Sequence, residues 1–437
     1  MVIKLARSLK FEGNSLILFS NTFFQLAGKL VSMSITMLVT LLIARLYGRS
    51  SYGYFNLMQS IPALFFIISD FGFNAIAAKR LTNNWDDAPK LFCNILVLRL
   101  VISGFLILFT IFVINFYFPY PADLKFGIYL SLLLIVTHSL YASGNLIFQL
   151  KLKYSYSAIG NILGSLLILI TTLLLISQNA PIIWINFTYV LGGIFTFIVS
   201  LHFLKKLGVS HNSGFKLDAR LWKELTVLSA PIGLTFIFSQ VHFRADSILL
   251  SRLSLPDIGY DNVETVAIYG LAYKIFEVCL VIPTFFMNAA YPMFLSKLQI
   301  SRNVFIKFFS KTILLLTASG FAITILGYYF APFMIKVLGG ESFNDSVHVL
   351  RVLFVGIIVF FISAPFSWFI VNLGKQKVLP FVYLTAAVFN ILGNIYLIPR
   401  YSFMASAYLT WVSEFIIFVL LILISIHLWR SSDDKTN

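Results

Sequence analysis

Nine ionisable side chains stand inside stretches of sequence that are otherwise apolar: Lys29, Asp70, Arg99, Arg244, Asp246, Lys274, Glu277, Arg351 and Glu414. On insertion scales such a group costs about 2.5–3.5 kcal/mol at the centre of a bilayer, so each is expected to face a bundle interior or water. Cations held at that depth are suited to receive an anionic group. Carboxylates there are suited to hold a proton or a small cation.

Two neighbouring pieces carry four of the nine: Gln240–Leu253, with Arg244 and Asp246, and Ile268–Glu277, with Lys274 and Glu277. On a helix, Gln240, Arg244, Ser247 and Ser251 form one row and Asp246 falls on another face, so Arg244 and Asp246 do not neutralise each other locally. Lys274 and Glu277 are three apart and either pair with each other or serve separately, the cations toward an anionic ligand and the acids toward a coupling cation. Nearer the start, Asn21, Gln25, Lys29, Ser32 and Thr36 recur every three or four residues as a polar stripe that lines a cavity or bonds to neighbouring helices. Asp70 and Asn74 share a helical face; Asp70 is read either as an ion or proton site or as a partner of Lys29 or Arg99. Arg99 is either a cavity cation or a snorkelling one. Glu414 has no partner on its own helix, and Arg351 is expected to snorkel at a membrane edge. His138 reads as a packing residue, and Gly160-Asn-Ile-Leu-Gly164 as a close helix contact.

The elements that position these groups follow from composition. The chain of 437 residues is 59% hydrophobic and 11% charged, with 46 Phe, far more apolar side chain than a soluble core hides. A spanning helix needs about 20 apolar residues. Twelve runs qualify, near 16–44, 53–78, 91–115, 126–149, 157–177, 181–203, 224–250, 265–290, 306–330, 347–371, 378–398 and 403–428. The fold class expected is therefore an all-α polytopic membrane protein with about twelve transmembrane helices. With the N-terminus inside, cytoplasmic segments hold 21 Lys and Arg against 6 outside, which places both termini in the cytoplasm. The net charge of +15 is then accounted for by topology and anionic lipid, with no nucleic-acid partner.

The basic linker Lys205–Arg220 divides the chain into lobes of six helices, 1–208 and 209–437. An internal echo accompanies that division: Leu42-Ile-Ala-Arg-Leu46 followed by Tyr52-Gly53, and Leu249-Leu-Ser-Arg-Leu253 followed by Tyr269-Gly270. Parallel repeats of this kind surround a central site in many transporters. Lys4, Arg7 and Lys10 give residues 1–10 one basic face, as in an interfacial helix. Cys93 and Cys279 lie in or beside apolar helices and read as packing residues, not as a disulfide. No HExxH, P-loop, GxSxG or paired-cysteine pattern is present, so neither catalysis nor a cofactor is expected; a membrane glycan polymerase or ligase is the disfavoured enzyme reading.

Leu42-Ile-Ala-Arg-Leu-Tyr-Gly48, Tyr52-Gly-Tyr-Phe55, Arg244-Ala-Asp-Ser-Ile-Leu-Leu250 and Ile268-Tyr-Gly-Leu-Ala-Tyr273 resemble the Wzx-type O-antigen flippases of the multidrug/oligosaccharidyl-lipid/polysaccharide superfamily. The resemblance implies a MATE-like V-shaped bundle with a central cavity in a bacterial inner membrane. It implies transfer of an undecaprenyl-pyrophosphate-linked oligosaccharide from the cytoplasmic to the periplasmic leaflet, with polysaccharide polymerases as possible partners. On that reading Lys29, Arg99, Arg244 and Lys274, with Gln25, meet the substrate. Asp70, Asp246, Glu277 and Glu414 are the candidates for coupling to H+ or Na+. A drug/cation antiporter of the same superfamily is the alternative, for which an acidic cavity is expected.

Overall fold

The computed structural model describes residues 15–83, 87–208, 217–256 and 259–433. The expected interfacial helix at residues 1–10 lies outside the described residues, as do the side chain of Asn21 and most of the basic linker.

Among the described residues the regular elements are all helical, without a strand. In chain order the helices are α1 (Ser15–Asp70), α2 (Phe73–Asn83), α3 (Ala88–Tyr117), α4 (Ala122–Ser131), α5 (Leu133–Leu150) and α6 (Tyr154–Ser177). They continue with α7 (Ile182–Lys206), α8 (Ala219–Leu250), α9 (Asn262–Ile300), α10 (Arg302–Leu338), α11 (Ser346–Asn372) and α12 (Leu379–Asp433). Among the described residues, ten helices are long and apolar enough to cross a membrane. Two of these, Phe24–Ala78 and Gln376–Ser431, are 55 and 56 residues long, more than twice the crossing length.

Both long helices are broken within. α1 departs from helical geometry at Gly48 (φ 75°), and α12 departs at Ser402 (φ 50°) just beyond Pro399. Glycine takes the left-handed region without steric cost, which is why the chain can turn there between Tyr47 and Arg49. The twelve apolar runs of the sequence thus fall within ten helical stretches among the described residues, and each of the two long stretches holds two runs on either side of its break. Pro62 also sits inside α1, whereas the departure from helical φ/ψ lies at Gly48. The second run breaks again after Asp70, where Phe71 (φ 45°) and Gly72 (φ 75°) separate α1 from α2. Asp70 and Asn74 therefore do not share a continuous helix, contrary to the i, i+4 reading.

Packing divides the chain into two compact units: residues up to Leu42 with Leu57–Ile237, and Ile43–Asn56 with Phe238–Asn437. The sequence division at 208 follows the linker, whereas the packing division falls inside α8. The first unit accounts for this through its core, where Leu221 and Leu225 of α8 join Phe73, Ile95, Ile147 and Leu204. Asn94 holds the same region: its Oδ1 accepts the Asp218 N–H at 2.9 Å and the Trp222 indole N–H at 3.0 Å. The Gly160–Gly164 motif packs as expected, with a Cβ built on Gly164 falling 2.0 Å from Thr196 Oγ1 of α7.

In the second unit the two Tyr-Gly copies meet at one crossing. A Cβ on Gly53 would fall 2.2 Å from the Val263 carbonyl oxygen, and one on Gly270 would fall 2.2 Å from Asn56 Nδ2. Tyr52 and Tyr269 are both buried beside it. Outward, large apolar side chains such as Phe105, Leu108, Phe116, Leu314 and Phe381 stand exposed, the surface a lipid-embedded bundle presents.

Candidate functional site

In the first unit the ionisable groups converge on Arg99. Its guanidinium is fully buried and forms an ion pair with Asp70, while Nη2 donates to Asn74 Oδ1 at 2.9 Å and Nη1 to Ser143 Oγ at 2.9 Å. Of the alternatives open for Asp70, pairing with Arg99 is the one observed. Neither alternative for Arg99 is seen: it neither lines open space nor snorkels, because the break at 71–72 carries Asp70 and Asn74 across its tip. His138 stacks on Phe66 with ring centroids 4.6 Å apart, in keeping with a packing role. Gln25 and Lys29 are exposed on α1. Farther along the stripe, Thr36 donates to its own helix at Met33.

In the second unit Arg244 of α8 pairs directly with Glu277 of α9, and Lys274 approaches the other Glu277 oxygen at 3.7 Å. Two cations share one carboxylate, so the group carries a formal excess of one positive charge. The side chains keep 24%, 40% and 32% of their surface exposed for Arg244, Lys274 and Glu277, which leaves this charge within reach of a ligand. The local Lys274–Glu277 pair is thus present, but it is one edge of a trio that the α8 residue completes.

Asp246 stands apart from that trio, as its different helical face requires. It is 1% exposed, and its partners are neutral. Tyr269 donates its hydroxyl to Oδ2 at 2.6 Å, Asn394 donates Nδ2 to Oδ1 at 2.9 Å, and Thr410 Oγ1 lies 3.1 Å from Oδ2. Ser406 donates to Asn394 Oδ1 at 2.7 Å, which fixes the amide so that its N–H groups face Asp246. Asn390 is buried at the edge of this cage, its Oδ1 accepting Asn394 Nδ2 at 3.2 Å. A charge surrounded by neutral dipoles instead of an opposite charge is stabilised only in part. Glu414, likewise buried, forms a hydrogen bond with the Ser363 hydroxyl of α11, and no cation pairs with it among the described residues. Arg351 lies over the Tyr328 ring at 5.0 Å, at an exposed edge. Cys93 and Cys279 are free thiols. No cluster of three His, Cys, Asp or Glu that could hold a metal occurs among the described residues.

The cage residues of α12 escaped sequence reasoning. Their trace was available: Asn390 and Asn394, then Ser406 and Thr410, are each four apart within apolar runs, the same criterion that picked out the α1 stripe. Tyr269 was visible only as half of a Tyr-Gly echo, and nothing in sequence pointed to Ser363.

Long apolar helices, two packed units and ionisable groups held among them define a multi-pass helical membrane protein. An inward-facing multidrug resistance MATE family transporter of the MOP superfamily is similar, with a TM-score of 0.73 at 13% identity, over 94% of this chain and 99% of that one. The lipid II flippase MurJ in an inward closed conformation gives 0.72 at 15% identity, over 92% and 87%. Residues 18–299 match the polysaccharide biosynthesis protein family, and the chain belongs to that family. Residues 231–396 also match the MatE family. No curated protein sequence matches the chain.

Proposed function

We propose that the protein is a flippase for a polyprenyl-pyrophosphate-linked oligosaccharide, an O-antigen unit or a related glycan carried on undecaprenyl. It moves the headgroup from the cytoplasmic to the periplasmic leaflet of a bacterial inner membrane, with both termini in the cytoplasm. The observation that carries the reading is the partly exposed trio in which Arg244 and Lys274 share the single acid Glu277. A pyrophosphate cannot cross hydrocarbon unaided, and a group with surplus positive charge lowers its cost of leaving water. Lys29 and Gln25 add a second polar surface on α1. Arg99 acts on Asp70, holding it in place, and does not itself meet the substrate. Membership of the polysaccharide biosynthesis protein family supports the glycan as cargo.

Asp246 is the leading site for a coupling H+ or Na+, since its cage supplies oxygen ligands and no resident counter-charge. Glu414 is a second carboxylate able to carry a proton. Alternating exposure of the charged groups to the two faces then moves the headgroup while the polyprenyl tail stays in lipid.

The test is export of lipid-linked oligosaccharide in cells carrying Arg244→Ala, Lys274→Ala or Lys29→Ala, with membrane levels checked. Loss of roughly tenfold or more in the Arg244 and Lys274 variants is expected, equivalent to one substantial charged contact. Normal export in all three removes the proposed charge site. The MatE match favours drug/cation antiport as the second reading; efflux of a cationic dye that survives when glycan export is lost would select it.

A further inference from the structure

A basic cleft opens where α10 begins and α12 ends, lined by none of the groups discussed so far. It encloses about 490 Å³ and is lined by Arg302, Asn303, Ile306, Lys307 and Trp429. Its floor is rigid. The Arg302 guanidinium lies 4.1 Å above the Trp429 ring and donates to the Trp429 carbonyl oxygen at 2.8 Å. Trp429 in turn rests on Phe305 and Phe369, with ring centroids 5.8 and 5.6 Å away. Lys307 is exposed at the rim.

The position of the cleft names its environment. Ser301 is the one residue between the crossing helices α9 and α10, so Arg302 must lie at a membrane face, and Trp429 near the end of the last crossing marks the interfacial belt. Basic residues predominate in the sequence on both sides: from Val278 to Gly340 Lys297, Arg302, Lys307 and Lys311 occur without an Asp or Glu, and Arg430 follows Trp429 ahead of Asp433 and Asp434. From the cleft an exposed apolar stripe runs along α10 toward the middle of the bilayer through Ile306, Leu314, Phe321 and Ile325. A free anion has no use for such a stripe, whereas acyl chains do.

We propose that this cleft binds the headgroup phosphate of an anionic phospholipid. Arg302 and Lys307 meet the phosphate, Asn303 and the Trp429 edge border the glycerol, and the tails follow the α10 stripe. Basic pockets between helix ends are suited to this chemistry, with each cation near the surface contributing about a fivefold gain in affinity.

The full-length chain, purified in detergent, is titrated with phosphatidylglycerol or with phosphatidylcholine of the same acyl chains, and retained lipid is counted by native mass spectrometry. Phosphatidylglycerol is expected to bind at least about fivefold better, and Lys307→Gln to reduce that binding about fivefold. Arg302→Gln/Lys307→Gln is expected to abolish the preference. Because Arg302 also holds the Trp429 carbonyl, the exposed Lys307 variant decides the matter if the double variant fails to fold. Arg400→Gln, at the opposite face, is expected to leave binding unchanged. Equal retention of the two lipids, unchanged binding in Lys307→Gln, or displacement of phosphatidylglycerol by millimolar inorganic phosphate would overturn the proposal, the last by showing a site for free anion.

Discussion

Asn394 donates its Nδ2 to Asp246 Oδ1 at 2.9 Å across 148 residues of chain, and Ser406 locks the amide in that orientation. The pair joins α8 to α12 through a carboxylate that no arginine or lysine neutralises among the described residues. Asp246→Asn keeps the shape of the cage and removes its charge. Ion-driven transport in proteoliposomes is expected to fall by at least about tenfold with thermal stability preserved, because losing a buried charge costs nothing in desolvation. Gradient-dependent transport at wild-type rates in this variant would rule Asp246 out as the coupling site.

Arg99 and Asp70 form a buried pair of the opposite kind, with Arg99 fully enclosed. Removing one member strands the other. Asp70→Ala is expected to destabilise the detergent-solubilised protein by about 3–5 kcal/mol, and the double change Asp70→Ala/Arg99→Met to recover much of that loss. Thermal unfolding of the two variants side by side checks it; equal destabilisation would show that the pair is not an energetic unit.

The crossing of Gly53 with Val263 leaves no room for a methyl group, since a Cβ would sit 2.2 Å from a backbone oxygen that cannot swing aside. Gly53→Ala is expected to cost about 1–3 kcal/mol by forcing the helices apart. Gly104→Ala, where a Cβ meets nothing within 4 Å, is the matched control, and its melting temperature is expected to stay at the wild-type value.

Asp218 precedes α8 and accepts the Leu221 and Arg220 N–H groups, both at 3.1 Å, and the Lys90 ammonium at 3.1 Å. The Leu221 N–H first and then Lys90 hold its carboxyl below the usual aspartate range. A depressed value in the folded state means the contribution is fully present above the unfolded value of about 3.9 and is lost as pH falls through the lower folded value. Asp218→Asn is therefore expected to lower the melting temperature at neutral pH, with the gap to wild type closing in strong acid. A gap independent of pH would assign the effect to the cap geometry instead of the charge.

The class of the protein and the location of its costly groups were legible in the residue order alone. Runs of twenty apolar residues satisfy their backbone in lipid as helices, without reference to any tertiary contact. Helical periodicity also separated Arg244 from Asp246, which the structure bears out: one pairs with Glu277 and the other with neutral donors. Periodicity reports only which face of its own helix a residue occupies, however. It cannot say which distant helix lies opposite. The partners of Asp246 on α12, of Glu414 on α11 and of Arg99 beyond the break at Phe71 and Gly72 were settled by packing, because each pairing joins segments whose separation along the chain carries no periodic signal. Tertiary structure thus decided which buried charges are neutralised and which remain available.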